Sequence, residues 1–439
     1  MPASGCPPPG FDSDIADPSL AESGNVRIDW ARRAMPVLGL LGERFAAEQP
    51  LRGLTVAACL HVTAETAVLI RALRDGGARV LLAASNPLST QDDTAAALVQ
   101  GGGPSGPSAP SGGGVSVFAR AGVDRATYYA HIACALEPGP DLVIDDGGDL
   151  VNTLHAERPD LLAKVRGGCE STTTGVIRLR RMAAAGALAF PVVAANDTPA
   201  RRMVDNTCGT GQSVVDGILR ATNTLLAGKT VVVAGFGACG QGIASRVRGL
   251  GAQVIVTETD PVRALDAVLQ GFRVLPMLAA AALGEMFVTA TGSRDVISAE
   301  HLAVMRDGAL LANAGHFDAE IDVRALARLA VEVRRDVRPH TDEYVLASGR
   351  RLLLLAAGRV VNLVAAEGHP AAVMDLSFGI QALALAWLAA GAAPLAGVHE
   401  VPPSIDAEVA RLKLASAGTE IDALTAEQRD YLASWHQGS

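Results

Sequence analysis

The residues of this chain with the clearest spacing for chemistry are the glycines of Gly235-Phe236-Gly237-Ala238-Cys239-Gly240. Before them stands TVVVA at 230–234, a short β-branched run suited to a strand buried on both faces. After them, 241–249 reads as a helix and 253–257 as a second buried strand that ends on Glu258. Such glycines permit a tight turn and a close backbone approach. A pyrophosphate can then rest on the free N–H groups of the following helix N-terminus.

Glu258 lies a little over twenty residues past Gly235, where a carboxylate can accept hydrogen bonds from an adenosine ribose and would repel a 2′-phosphate. NAD, rather than NADP, is therefore the expected cofactor. A lone glycine motif is weak in a chain with 46 glycines, but strand, turn, helix, strand and acid in that order are specific. A second group of polar residues follows short apolar runs: His61 after 55–60, Asn86 after 79–84, Asp146 after 141–144 and His316 after 309–313. In open α/β sheets ligands bind just past the carboxyl ends of strands, so His61, Asn86 and Asp146 are expected to line one crevice.

These residues need two sheets to position them. Short strands and helices alternate at 55–60, 64–74, 79–84 and 191–195, and again through 214–226, 230–234, 286–289 and 309–313. Runs at 352–355 and 360–363 read as closing strands of the cofactor domain, and 370–390 as a helix crossing back. Helical periodicity over 29–47 places Met35, Leu38, Leu41 and Phe45 on one face. The expected fold is α/β, with two doubly wound Rossmann-like domains. The expected division is a substrate domain at 21–196 plus 366–400, an inserted NAD domain at 197–365, and a helical C-terminal segment at 401–439. Residues 1–20 are expected to be disordered, and GGGPSGPSAPSGGG at 101–114 to be a flexible surface insertion.

Composition narrows the function. Net charge is −9 and no basic stripe is interleaved with aromatics, which argues against nucleic acid as a partner. Gly, Arg or Asp interrupts each apolar run, so no membrane span is expected. MPASGCPPPGFDSD lacks the basic and apolar regions of a secretory signal. The six cysteines lack CxxC spacing, which suits reduced thiols and offers no metal site. A cytoplasmic protein is expected.

From about Val26 to Tyr431 the chain resembles the S-adenosylhomocysteine hydrolase family. The resemblance is carried by CLHVTAETAVLI, STQD, DDGGDL, ESTTTGVIRL, DNTCGTGQSVVDGILRATN, the glycine unit, NAGHFDAEID and EGHPAAVM. It implies a two-domain enzyme, usually tetrameric, with tightly held NAD regenerated in each cycle. It also implies a reaction course: the 3′-hydroxyl of a nucleoside is oxidised, the acidified 4′ proton is removed, and the 5′ substituent leaves. On matching positions it makes His61, Asp146, Asp205 and His316 catalytic, with Arg201 at a catalytic Lys position. Thr63, Glu65, Asn86, Ser171, His369, Met374 and Phe378 fall on substrate positions. Thr172, Thr173, Thr174, Asn206, Gly235, Gly237, Gly240, Glu258, Arg263, Asn313 and Asn362 fall on cofactor positions.

The chain departs from the family pattern at three places. Ser171 stands where the pattern has a second Glu, and Arg201 where it has a Lys four residues before Asp205. Arg keeps its proton at working pH, so it can hold a developing alkoxide but cannot assist proton removal as Lys does. The chain stops at YLASWHQGS, without the Lys- and Tyr-bearing tail that reaches a neighbouring subunit's NAD. Ala372, Leu376 and Asp93 are smaller departures. A site built to hydrogen-bond particular hydroxyls rejects analogues strongly, so such changes suggest a changed ligand. The leading expectation is an adenine nucleoside losing water at C5′ to give a 4′,5′-unsaturated product in a natural-product pathway. The alternatives are an ordinary hydrolase yielding adenosine and homocysteine, and a non-catalytic NAD-binding homologue. A homotetramer or homodimer is expected.

Overall fold

The computed structural model describes residues 13–101, 114–391 and 395–436. Sixteen strands form two eight-stranded sheets among the described residues. In chain order they are β1 (Asp14–Ile15), β2 (Thr55–Leu60), β3 (Arg79–Ala84), β4 (Val115–Ala119), β5 (Leu142–Asp145), β6 (Gly167–Glu170), β7 (Pro191–Ala194), β8 (Thr230–Ala234), β9 (Gln253–Thr257), β10 (Arg273–Val274), β11 (Met286–Thr289), β12 (Ala309–Asn313), β13 (Ala330–Arg338), β14 (Thr341–Leu346), β15 (Arg351–Leu355) and β16 (Gly397–Glu400).

The first sheet runs β1-β4-β3-β2-β5-β6-β7-β16 and is parallel throughout. The second runs β10-β9-β8-β11-β12-β15-β14-β13, and only β14, antiparallel to both of its neighbours, breaks its parallel order. Apolar clusters cover both faces of each sheet, the arrangement that makes its inner strands continuous runs of Val, Leu, Ile and Ala. The fold is α/β with two doubly wound layers. The strands of the second sheet lie between β7 and β16 of the first, so one unit is inserted in the other.

Several expectations are corrected. The periodicity over 29–47 resolves into two helices, Ala21–Arg33 and Pro36–Glu48, because Pro36 has no N–H to continue the first and instead starts the second. The 360–363 run is a short helix, Val361–Val364, and only Val360 bridges to Asn313. Residues 13–20 are ordered: β1 pairs with β4, and Pro18–Leu20 forms a 3₁₀ turn capped by Asp17. Residues 1–12, and 102–113 of the expected insertion, lie outside the described residues. Cys134 is disulfide-bonded, whereas Cys59, Cys169, Cys208 and Cys239 are free.

Ala371–Ala389 is long and apolar enough to cross a bilayer by composition, against the expectation that no run is. It is instead a core helix, mostly buried, packed on the first sheet and on helices Pro36–Glu48 and Pro403–Ser416.

Candidate active site

Four strands of the first sheet end on one edge because they run parallel in register, and each delivers a polar residue there. β2 leads to His61, β3 to Ser85 and Asn86, β5 to Asp146 and β6 to Ser171. His61 Nε2 lies 3.1 Å from Asp146 Oδ2, and His61 Nδ1 lies 2.6 Å from Ser89 Oγ. Ser171 Oγ donates to Asp146 Oδ1 at 2.9 Å, and Ser85 Oγ to Oδ2 at 3.2 Å. Burial pushes the His61 imidazole below its ordinary value. Asp146 opposes that shift, while His316 and His369 add to it. Burial alone would raise Asp146, but His61, His316, the Ser171 hydrogen bond and Arg201 together hold it below the usual carboxylate range. In the neutral tautomer with Nε2–H donated to Asp146, His61 accepts from Ser89.

His316 comes from the other sheet, on the loop after β12. Its Nε2 lies 3.0 Å from the point where Gly147 would carry a Cβ. Asn313 and Glu320 build this loop. The fully buried Asn313 amide donates to the Gly315, Phe317 and Gly358 carbonyls and accepts from Gly315 N–H. Glu320 accepts from Thr291 and Gly292 N–H groups and Thr291 Oγ1.

A second cluster forms where the chain passes between sheets. Arg202–Gly209 is a π-helix, a rare geometry that often marks functional sites. Arg201 Nε donates to Asp205 Oδ2 at 3.2 Å, and both side chains are over nine-tenths buried. Asp205 also accepts from Ser377 Oγ at 2.5 Å and sits 3.3 Å from His369 Nδ1, whose Nε2 meets Thr210 Oγ1 at 3.2 Å. Burial would raise the Asp205 carboxyl. Arg201 first, then His369 and the hydrogen bonds from His369 and Ser377, drive it far below the ordinary range. Arg201 Nη1 is enclosed and has no partner.

The glycine turn fits a dinucleotide. Gly235 has φ +92°, and a Cβ there would lie 2.7 Å from the Ala290 carbonyl oxygen. A Cβ on Gly240 would lie 1.9 Å from the Gly235 oxygen, so only glycine lets the helix Ala238–Gly249 start against the turn. Gly237 faces open space, with only Arg263 Nη1 within 4 Å of an added Cβ, and no side chain caps the helix. Glu258 accepts from the Phe236, Thr259 and Asp260 N–H groups. Burial would raise its pKa, but these donors and Arg263 keep it low and the residue anionic. Asn362 Nδ2 donates to Ser213 Oγ at 3.0 Å, leaving a buried Oδ1 with no partner. An open backbone turn, a fixed anion and an orphaned acceptor are the polar groups that a nicotinamide dinucleotide satisfies.

Other expected residues are placed differently. Thr63 caps the helix Ala64–Asp75, Thr172 caps Thr173–Ala184, and Asn86 caps the turn Pro87–Ser89. Burial raises Glu65. Thr173 Oγ1 accepts from Asn196, and Thr174 lines a cleft with Gly292, Ser293, Arg294, Phe317 and Glu320. Asn206 is half-buried on the π-helix. Met374 is partly buried against the first core and Phe378 lies inside it. Asn313 is spent on its own loop. Ser85, Ser89, Ser377, Thr210, Glu170 and Glu320 are site builders that sequence reasoning passes over. No group of metal-ligating side chains occurs among the described residues.

A family model described as "S-adenosyl-L-homocysteine hydrolase" matches residues 12–161, and one described as "S-adenosyl-L-homocysteine hydrolase, NAD binding domain" matches residues 206–368. The chain is 56% identical to a relative named "Adenosylhomocysteinase" from Aquifex aeolicus over 98% of its own length and all of that protein. It is 53% identical to another of that name from Thermosynechococcus vestitus, covering 97% of each chain. It is 50% identical to an "S-inosyl-L-homocysteine hydrolase" from Methanopyrus kandleri, covering 97% of this chain and 98% of that one. With a turn built for the dinucleotide, NAD as its cofactor, and similarity along nearly its whole length, the chain belongs to the S-adenosyl-L-homocysteine hydrolase family.

Proposed function

We propose that this enzyme cleaves the 5′ carbon–sulfur bond of a purine-nucleoside thioether of homocysteine. The course is transient oxidation at C3′, proton removal at C4′, elimination at C5′ and addition of water. NAD supplies the hydride acceptor and, at the end of the cycle, the donor. The observation that carries the reading is the convergence of the His61–Asp146 pair with His316 from the opposite sheet. His61, kept neutral by burial, is suited to take or return a proton at the 5′ side. Asp205 and Arg201 supply fixed charge beside the sugar hydroxyls.

A second reading is loss of water from a 5′-hydroxyl, leaving a 4′,5′-unsaturated nucleoside. It is favoured by Arg201, a permanent cation at the Lys position, and by Ser171, a neutral donor to Asp146 where the resemblance implies a carboxylate. Relatives at 50–56% identity carry two different nucleosides in their names, so similarity at this level leaves substrate choice to residues such as these.

Mass spectrometry of the NAD-loaded protein separates the readings. It would be incubated with S-adenosylhomocysteine, S-inosylhomocysteine and a panel of adenine nucleosides in turn. Free homocysteine with a nucleoside supports the first reading. A product lighter by one water, with both thioethers untouched, replaces it with the second. Binding of NAD with no NADH absorbance from any substrate would leave a non-catalytic homologue.

The domain boundaries we propose are 21–196 plus 366–400 and 197–365, with hinges near Asn196 and Gly368. A homotetramer or homodimer is the proposed assembly. Ile421, Leu424, Leu432 and Trp435 stand exposed near the C-terminus, where a second copy would cover them, and light scattering after gel filtration would test it.

A further inference from the structure

Asp145 and Glu170 end β5 and β6 directly opposite each other, so their side chains leave the sheet on the same face, and both are 0% exposed. Asp145 Oδ1 accepts from Asp146 N–H at 2.9 Å and Oδ2 from Val151 N–H at 2.8 Å. Glu170 Oε1 accepts from Gly147 N–H at 3.0 Å, Thr172 N–H at 2.8 Å and Thr172 Oγ1 at 2.9 Å. Glu170 Oε2 is enclosed with no partner. Gly175 packs over the carboxyl so closely that a Cβ there would lie 2.2 Å from Glu170 Cδ.

The groups around the pair do not neutralise it. Cys59 on β2, Tyr128 on the helix Arg125–Leu136, and Asp146 and Asp149 add acids or neutral donors. Cys169 on β6 is buried beside Glu170. The cations nearby are committed elsewhere, Arg178 to Asp149 at 2.8 Å and Arg201 to Asp205 at 3.2 Å, and neutral His61 is paired with Asp146 at 3.1 Å. Two neighbouring carboxyls, dry and without a counter-cation, do not both ionise.

We propose that Asp145 and Glu170 carry one proton between them and act as a positioning pair that holds Asp146 and Ser171 in place. Singly ionised, the pair ties the loop after β5 to the loop after β6 through the Asp146, Gly147 and Thr172 N–H groups. Doubly ionised, its members repel, and Asp146 moves away from His61. Burial raises both carboxyls, Asp145 to about 7, and the Asp145 charge raises Glu170 further. The catalytic consequence rests on the function proposed above; the pair's single proton does not.

The test is infrared spectroscopy of the NAD-loaded protein, from mildly acidic to alkaline pH, beside turnover of whichever nucleoside the panel identifies. We expect the carbonyl band of a protonated carboxylic acid at neutral pH that fades on the alkaline side, with kcat falling in step and KM steady. Glu170→Gln keeps an accepting oxygen and removes a charge. It should erase the band, lower kcat severalfold and abolish the alkaline fall. Asp145→Asn should do the same, and serves if the first variant does not fold. Absence of the band in the wild type, or its survival with an unchanged pH profile in the folded variants, would overturn the proposal. A band that behaves as expected in a protein that turns over no nucleoside would refute the proposed function and leave the pair's single proton standing.

Discussion

His316 Nε2 stands 3.0 Å from where Gly147 would carry a side chain, and this contact joins the carboxyl edges of the two sheets. Gly147 follows β5 of the first sheet, and His316 follows β12 of the second. With φ +109° at Gly147, the backbone also disfavours any side chain. Gly147→Ala should therefore misplace His316 relative to Asp146 and lower kcat by about 10²-fold, the cost typical of a displacement near 1 Å. NAD binding, followed by fluorescence titration, should change little because the glycine turn is remote in sequence and on another sheet. Equal loss of NAD affinity would show that the contact serves only to hold the fold together.

The His61 imidazole titrates below 6.5 because burial disfavours its charge, and Asp146 partly restores it. If neutral His61 is the working form, the acid limb of kcat lies below that value. Asp146→Asn removes the group that raises the imidazole pKa, so the limb should move to still lower pH while the maximal rate falls. A limb that moves upward would contradict this electrostatic assignment.

Asp205 is held ionised against burial chiefly by Arg201. Arg201→Met leaves a buried carboxylate facing one His and one Ser, at a cost of about 3–5 kcal/mol in stability, read by urea unfolding. Arg201→Lys keeps a charge but not a planar donor, and its ammonium can titrate. An additional alkaline limb in NADH formation should appear in this variant, beyond the fall that the Asp145–Glu170 pair gives both proteins. The same additional limb in both proteins would assign it to another group.

Asp145 gives stability its own pH dependence. Its folded carboxyl is pushed from 3.8 up to about 7 by burial, so the protonated form favours the folded state. That contribution is fully present below the unfolded value and is lost as pH rises through about 7. The displacement corresponds to about 4 kcal/mol. Asp145→Asn should flatten the fall in unfolding free energy between acid and neutral pH, measured by urea titration at several pH values. An unchanged slope would place the lost stability elsewhere.

Much of this site is legible in sequence because it obeys local rules. β2, β3, β8, β9, β11 and β12 are short β-branched or aliphatic runs, and His61, Asn86, Gly235, Glu258 and His316 follow within three residues of the ends of β2, β3, β8, β9 and β12. The glycines of the dinucleotide turn are required by contacts within the same unit. What sequence conceals depends on distant partners. β6 is Gly-Gly-Cys-Glu, which carries no strand signal. It is glycine because a Cβ on Gly168 would lie 2.5 Å from Val143 and one on Gly167 2.9 Å from Leu388. β13 is a charged edge strand, exposed on nearly every residue, so no apolar run marks it. Asn313 reads as a ligand residue, but its amide is consumed by the loop that aims His316. Glu170 matters through burial against Asp145, a relationship between strands 25 positions apart.

The pairing of β16 with β7 has a consequence for how this protein is made. β7 ends at Ala194, yet the strand that covers its outer edge begins only at Gly397. During synthesis the roughly 200 residues between them must emerge first, which takes on the order of ten to forty seconds. Through that interval the first sheet carries an open parallel edge of four buried residues, Pro-Val-Val-Ala, while the second sheet has time to form whole. Nascent chains arrested before Gly397 should therefore be the ones that associate with one another through β7 and engage chaperones, and release of the last forty residues should end both.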